Sequence, residues 1–336
     1  MNVQTRLDGS KRESLGEKLP LEQPYVLLVD PCNLCNLRCQ WCPSGYDKLI
    51  SECGRTQTVM DISMFKRMID QLGEFKEPIR VLRMYKEGEP LINPHFPEMV
   101  EYAKKSGYVK RIDTTTNGVL LKPELNRKIV KAGLDQINIS VNGLSDEQIY
   151  RNTGRRVSFK EYVEGIRDLY NNRGDCTVYV KSIKDVLDEK EQETFFSVFG
   201  EISDRIFLER LSPAWPCFEF DECDYMYEEV GNYEQAVENR QVCPYLFYIM
   251  VVNSDGTVST CVGDWKHNQI VGDIKSNTVK EIWQGDKLRN YQFGHLNGDK
   301  NGMEMCKKCL VISHGAYDNI DAYAKDIAEK MVKVKR

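Results

Sequence analysis

Between Tyr25 and Leu208, short apolar runs of strand length alternate six times with stretches of helical periodicity, and this rhythm restricts the possible folds most. Tyr25–Asp30, bounded by Pro24 and Pro31, reads as a first buried strand. Ile79–Met84, Arg111–Thr115, Gln136–Val141, Thr177–Ser182 and Arg205–Leu208 read as the next five. Between them lie helices: one capped by Asp61 and carrying Ile62, Phe65, Ile69 and Leu72; one from Asn93-Pro94 to Gly107; one from Pro123 to Gly133; one opened by Ser158-x-x-Glu161; and one around Glu189–Phe199. Such alternation implies parallel strands joined by right-handed crossovers. Residues 23–210 are therefore expected to form an α/β partial (βα)6 TIM-like barrel, with ligands at the C-terminal ends of its strands. Residues 1–22 read as a polar arm and 211–242 as a cap or linker rich in aromatic and acidic residues. Residues 243–336 read as a small C-terminal domain. It opens with a hairpin (Leu246–Val252 and Thr257–Cys261 about Asn253-Ser-Asp-Gly256), followed by a short helix near 279–290 and a final amphipathic helix over about 317–334.

The chain carries twelve cysteines without the apolar stretch of an export signal at its start. A reducing, cytoplasmic setting is the expectation, and there cysteines point to metal ligation and redox chemistry more than to disulfides. A net charge of -5 supplies no basic face, so nucleic acid is not an expected partner. No apolar run approaches the roughly 20 residues that span a bilayer, so neither is a membrane.

Four cysteines, Cys32, Cys35, Cys39 and Cys42, crowd the loop after the first strand. Cys35, Cys39 and Cys42 are spaced C-x3-C-x2-C. Three thiolates on one loop can hold three irons of a [4Fe–4S] cube and leave the fourth open to an exogenous ligand. The alternative is structural zinc on two C-x2-C pairs, but only three residues separate the pairs, tighter than usual zinc spacings. This loop, with Trp41 before its last cysteine, resembles the signature of the radical S-adenosylmethionine (radical SAM) superfamily. The resemblance implies that S-adenosylmethionine chelates the open iron and is cleaved reductively to methionine and a 5′-deoxyadenosyl radical, which takes hydrogen from the substrate. Gly88-Glu89-Pro90 resembles the element that grips the methionyl amine in that family, although Glu87 stands where a glycine is usual. Thr116 and Asn117 closing the third strand, Ser140 and Asn142 ending the fourth, and Lys181 on the fifth resemble positions that often contact the cofactor in that family. A strand-end turn and a structural ion pair are the competing readings for these last residues.

Cys243, Gly256 and Cys261 follow a C-x12-G-x4-C pattern, and Cys306-x2-Cys309 completes a second set. This resembles the SPASM domain in its shortened, twitch form, which holds one auxiliary [4Fe–4S] cluster on four thiolates. A zinc ribbon is the alternative. Cys32, Cys53, Cys176, Cys217 and Cys223 stay unassigned. Cys217 and Cys223 in the cap are candidate hydrogen donors, and Asp221, with Glu222 and Asp224, a candidate base. The four histidines form no ligand pattern and receive no role.

With only about 24 residues before the first strand, neither a leader-binding domain nor a cobalamin domain is expected. A small molecule is therefore the expected substrate, and oxidation or epimerisation of a carbohydrate- or aminocyclitol-like alcohol the expected reaction, supported by a flavodoxin- or ferredoxin-type electron donor. The alternative is a peptide-modifying maturase, epimerising or crosslinking, with a separate leader-binding partner.

Overall fold

In a computed structural model, which describes residues 1–6, 13–219, 230–315 and 318–334, one nine-stranded sheet runs through the whole chain. Its strands are β1 (Val26–Val29), β2 (Val81–Met84), β3 (Ile112–Thr116), β4 (Gln136–Val141), β5 (Thr177–Ile183), β6 (Arg205–Glu209), β7 (Ile249–Val252), β8 (Thr257–Ser259) and β9 (Ile270–Asp273). They lie in the order β6-β5-β4-β3-β2-β1-β7-β8-β9. The six expected barrel strands pair in parallel, neighbour to neighbour. β7 adds to β1, also in parallel, and β8 and β9 continue antiparallel. The hairpin expected to open the C-terminal domain thus also extends the barrel sheet. Its composition explains why: Ile249, Met250, Val251 and Val252 are all buried, and a strand apolar on both faces needs cover on both sides.

Strand alternation divides β2–β6 into two faces. Leu82, Ile112, Ile137, Ile139, Val178, Val180, Ile206 and Leu208 point outward into the main core beneath the crossover helices. The opposite face turns to the lumen and is polar. The in-register partners Arg83, Asp113 and Gln136 form one layer, and Thr115, Asn138, Tyr179 and Arg205 the next. Along β1 and β7 the lumen face is apolar instead, with Val26, Leu28, Ile249 and Val251 packed together.

The crossover helices follow expectation, including Ile62–Gln71, whose cap Asp61 accepts from Ser63 N and Met64 N, and Phe96–Ser106, stopped at left-handed Gly107. Three helical segments depart from expectation. Ser145 caps an additional helix, Asp146–Thr153, before the expected one at Phe159–Asn171. Gly285 splits the helix near 279–290 into Val279–Trp283 and Asp286–Leu296. The last helix starts at Ala324, after a single turn over Asp321–Tyr323. The N-terminal arm is not free: Val3 bridges Ile206 at the edge of β6, and Arg6 reaches across the lumen to Asp113.

Candidate active site

The Cys35–Cys42 loop leaves the C-terminal end of β1 and is tied down on every side. Asn33 bonds Thr56 O and Thr58 N through its side chain, at 2.6 and 2.7 Å. Arg38 N and Gln40 N donate to Thr153 O and Asn152 O at the end of the additional helix. Arg38 Nη1 closes the loop on Cys35 O at 2.9 Å. Cys35, Cys39 and Cys42 line a cavity of about 930 Å3, whereas Cys32 does not. Cys32 is fully buried, its backbone bridges Val59, and its thiol points at Leu34 O. The geometry thus brings together the three thiols assigned to the cube and sets the fourth aside. Burial first, then the other thiols, push Cys39 well above the usual thiol range, and burial raises Cys35 to about 11. Thiols so placed ionise only beside a compensating cation, such as cluster iron.

β2 ends against this loop. A Cβ on Gly88 would lie 2.2 Å from Cys32 O and 2.4 Å from Leu34 O, so only glycine allows the two backbones to meet. Glu89 N donates to Leu34 O at 2.9 Å. The buried Glu89 carboxylate accepts from Thr116 Oγ1 at 2.6 Å, Asn117 N at 2.7 Å and Leu91 N at 3.1 Å. It therefore fastens the ends of β2 and β3 together, and burial raises its pKa to about 7 despite these donors. A carboxylate offers about four acceptor sites, which leaves one for an ammonium group. Asn117 Nδ2 approaches Cys35 Sγ at 3.8 Å. Trp41, Gly88, Glu89, Thr116, Asn117, Ser140, Asn142 and Lys181 all line the cavity, and Pro90, which opens the following turn, does not. Lys181 is paired with Glu209 at 2.5 Å on the same wall.

Cys243, Cys261, Cys306 and Cys309 converge from four places: the turn before β7, the loop after β8, the helix Glu304–Lys307 and the second residue beyond its end. Burial first and the other three thiols next raise Cys243 well above the usual range, and burial with Cys309 and Cys306 raises Cys261 to about 12. Gln269 Nε2 points at Cys306 Sγ at 3.5 Å. Among the described residues no three donors close around one metal ion; a cube spreads its thiolates over four irons and takes a wider set.

Of the remaining cysteines, Cys176 is buried in the core and Cys53 bonds Ile50 O. Cys217 is exposed and lies off the cavity, so the fold does not bring it to the lumen. Cys223, Asp221, Glu222 and Asp224 lie outside the described residues.

Three histidines that sequence reasoning passed over belong to this region. His267 bonds Glu87 at 3.0 Å. His295 Nδ1 accepts from Cys243 N at 3.3 Å, and burial lowers its pKa to about 4. His314 lines the cavity with Nδ1 held by Leu310 O at 3.1 Å. Two of them follow auxiliary cysteines closely, His267 six residues after Cys261 and His314 five after Cys309, which was the only available signal.

Comparison with known proteins agrees with this arrangement. The profile of the radical SAM superfamily matches residues 29–194, and that of the SPASM iron–sulfur cluster-binding domain residues 243–310. GTP 3′,8-cyclase of Aquifex aeolicus (strain VF5) is 32% identical over 316 residues, covering 84% of this chain and 96% of that protein. Against several other curated relatives the chain spans only about two fifths of their length. Among solved structures, BtrN in complex with AdoMet and 2-DOIA superposes with a TM-score of 0.57 at 17% identity, covering 88% of this chain and 97% of that one. Streptococcus suis SuiB bound to precursor peptide SuiA gives 0.58 at 14%, covering 82% and 68%. These two likenesses concern the fold alone. The chain belongs to the radical SAM superfamily and carries a C-terminal SPASM iron–sulfur cluster-binding domain. With that class come S-adenosylmethionine and [4Fe–4S] clusters as cofactors.

Proposed function

We propose that this chain is a radical SAM oxidoreductase acting on a secondary alcohol of a small, polyhydroxylated molecule of the carbohydrate or aminocyclitol kind. In this reading Cys35, Cys39 and Cys42 hold the cluster that binds S-adenosylmethionine, and Cys243, Cys261, Cys306 and Cys309 hold the auxiliary one. When bound, these groups supply a 5′-deoxyadenosyl radical and a one-electron sink. Oxidation of the alcohol to a ketone would draw on the first group for removal of a hydrogen atom, on the second for acceptance of an electron, and on a residue of this chain as the base that takes the proton.

The observation that carries the reading is the cavity. Its volume of about 930 Å3 suits S-adenosylmethionine plus a small ligand, and it runs from the three thiols to a polar wall of Ser140, Asn142, Lys181 and Glu209. Those groups are suited to bonding hydroxyls. His314, whose ring lines the same cavity and whose Nδ1 is held by Leu310 O and Ser313 Oγ, is the candidate to take the hydroxyl proton. Epimerisation shares the first step and ends with return of hydrogen from a thiol. Since Cys217 stands off the cavity, that outcome rests on Cys223, and Cys223→Ala separates the two.

A second reading, a nucleotide substrate, is favoured by the near full-length similarity to a GTP 3′,8-cyclase and by Arg6, Arg80 and Arg83 on the cavity wall, which can face a phosphate chain. The deciding experiment incubates reduced, reconstituted full chain and S-adenosylmethionine with carbon-deuterated aminocyclitols and sugars, with GTP, and with a peptide panel. Deuterium in 5′-deoxyadenosine from an alcohol is the expected result. Consumption of GTP with no label from any alcohol would replace the first reading by the second.

A further inference from the structure

Glu87 is where the chain departs from the motif it otherwise resembles, and the structure gives that residue four charged or polar neighbours. Its side chain is wholly buried, as are those of Arg55 and Lys86. Lys86 Nζ lies 2.5 Å from Glu87 Oε1, Arg55 Nη1 3.3 Å from Oε2, and His267 Nε2 3.0 and 3.1 Å from the two oxygens. Asp30, fully buried at the end of β1, also feels the charge of Glu87. Taking ions out of water is costly, so a group this dense calls for a role beyond packing.

Its attachments indicate that role. Arg55 Nη2 reaches Ser44 Oγ at 3.3 Å, two residues beyond Cys42, while its Nη1 donates to Trp265 O at 3.0 Å, four residues beyond Cys261. One guanidinium therefore holds both cysteine loops. Lys86 Nζ adds Asp264 O at 3.2 Å and Asn253 Oδ1 at 2.8 Å. From there the contacts run on: the Asp264 carboxylate accepts from Gln269 N at 3.0 Å, and Gln269 Nε2 meets Cys306 Sγ.

We propose that Arg55, Lys86, Glu87 and His267 form a buried positioning network between the two cluster loops, fixing one cluster against the other while its charges set the clusters' reduction equilibria. The proposal rests on both cysteine sets holding clusters and is independent of the substrate. Its physical basis is that reduction adds negative charge. A fixed cation nearby favours the reduced state and a fixed anion opposes it, with little screening where water is absent.

The test uses the reconstituted full chain as wild type, Lys86→Met and Glu87→Gln, with each cluster titrated against dyes of known potential and followed by electron paramagnetic resonance. Lys86→Met is expected to make the auxiliary cluster about tenfold harder to reduce and Glu87→Gln about tenfold easier, each about 59 mV for one electron. Opposite signs are the diagnostic, because a loop merely loosened and wetted shifts both variants the same way. Unmoved equilibria in both variants, or shifts of one sign, overturn the proposal. Arg55→Lys keeps the charge but loses the second hydrogen bond, and serves if the neutral variants do not take up iron. There the magnetic interaction between clusters should weaken while the equilibria stay within about twofold of wild type. An interaction unchanged in that variant overturns the proposal as well.

Discussion

Asp30 takes a carboxylate into the core at the end of β1, and burial, then the neighbouring Glu87, lift it from 3.8 to about 7 while Lys86 and Arg55 pull against that rise. An acid whose folded value lies above its unfolded one contributes stability below the unfolded value and loses it as pH rises through the folded one. In the metal-free chain, Asp30→Asn should therefore match wild type near pH 4 and gain on it up to about pH 7. Above that the advantage should stay constant at a few kcal/mol, since each tenfold change in proton affinity is worth about 1.36 kcal/mol. Urea denaturation at pH 5 and pH 8 checks this, and an advantage that shrinks toward pH 8 refutes it. Glu87 behaves oppositely: burial alone would raise it, yet Lys86, the His267 hydrogen bond and Arg55 outweigh burial and hold it at about 2. The residues legible beforehand were those whose chemistry is local in sequence. Cys35, Cys39 and Cys42 lie within one loop and Gly88-Glu89 within one motif. Arg55, Glu87 and His267 were illegible as a group, because Arg55 meets Trp265 across 210 positions and His267 meets Glu87 across 180, and no periodicity encodes such a meeting.

At the scale of elements, all six barrel strands were readable because each is a short β-rich run closed by a turn signal, and burial on the sheet's outer face enforces the pattern. The helix Asp146–Thr153 was not, since Ser145 and its acidic first turn resemble a surface loop and its buried face includes Gln148, Asn152 and Thr153. The N-terminal arm is the more consequential case. Its sequence read only as a polar arm, with no sign of a partner, but Gln4 N donates to Ile206 O at 3.1 Å and Ile206 N to Asn2 O at 3.0 Å, which continues the sheet past β6. Arg6 then crosses the floor of the lumen, 3.4 Å from Asp113 and over the Tyr85 ring. Arg83 is the second partner of Asp113, at a longer 3.5 Å. Arg6→Ala should leave Asp113 with that weaker pair and cost about 1–3 kcal/mol in urea denaturation of the metal-free chain, the usual penalty for a buried partner withdrawn. A change smaller than about 0.5 kcal/mol, the size of an ordinary surface substitution, would mean that the arm contributes nothing to the fold.

For the whole molecule, the consequence of β7 pairing with β1 is that the two cysteine sets are carried by one sheet and one core. Cys243, Val258, Val271, Trp283 and Ile327 of the C-terminal segment belong to the same buried cluster as Leu27, Phe65 and Ile137 of the barrel. Two separable domains would melt separately, whereas elements sharing a sheet and a core melt together. Loss of the auxiliary cluster should therefore be felt in the barrel, because a group bound only by the folded state stabilises everything that unfolds with it. If Cys243, Cys261, Cys306 and Cys309 hold the auxiliary cluster as proposed, Cys309→Ala should lower iron to about half while the Cys35–Cys42 cluster persists and 5′-deoxyadenosine still forms without the proposed ketone product. Its melting temperature should drop, and the loss of absorbance near 400 nm from the remaining cluster should coincide with the loss of ellipticity in a single transition. Two transitions, with the barrel melting at its wild-type temperature, would show that the shared sheet does not couple the halves. The continuous order from β6 to β9 would then describe adjacency without cooperation.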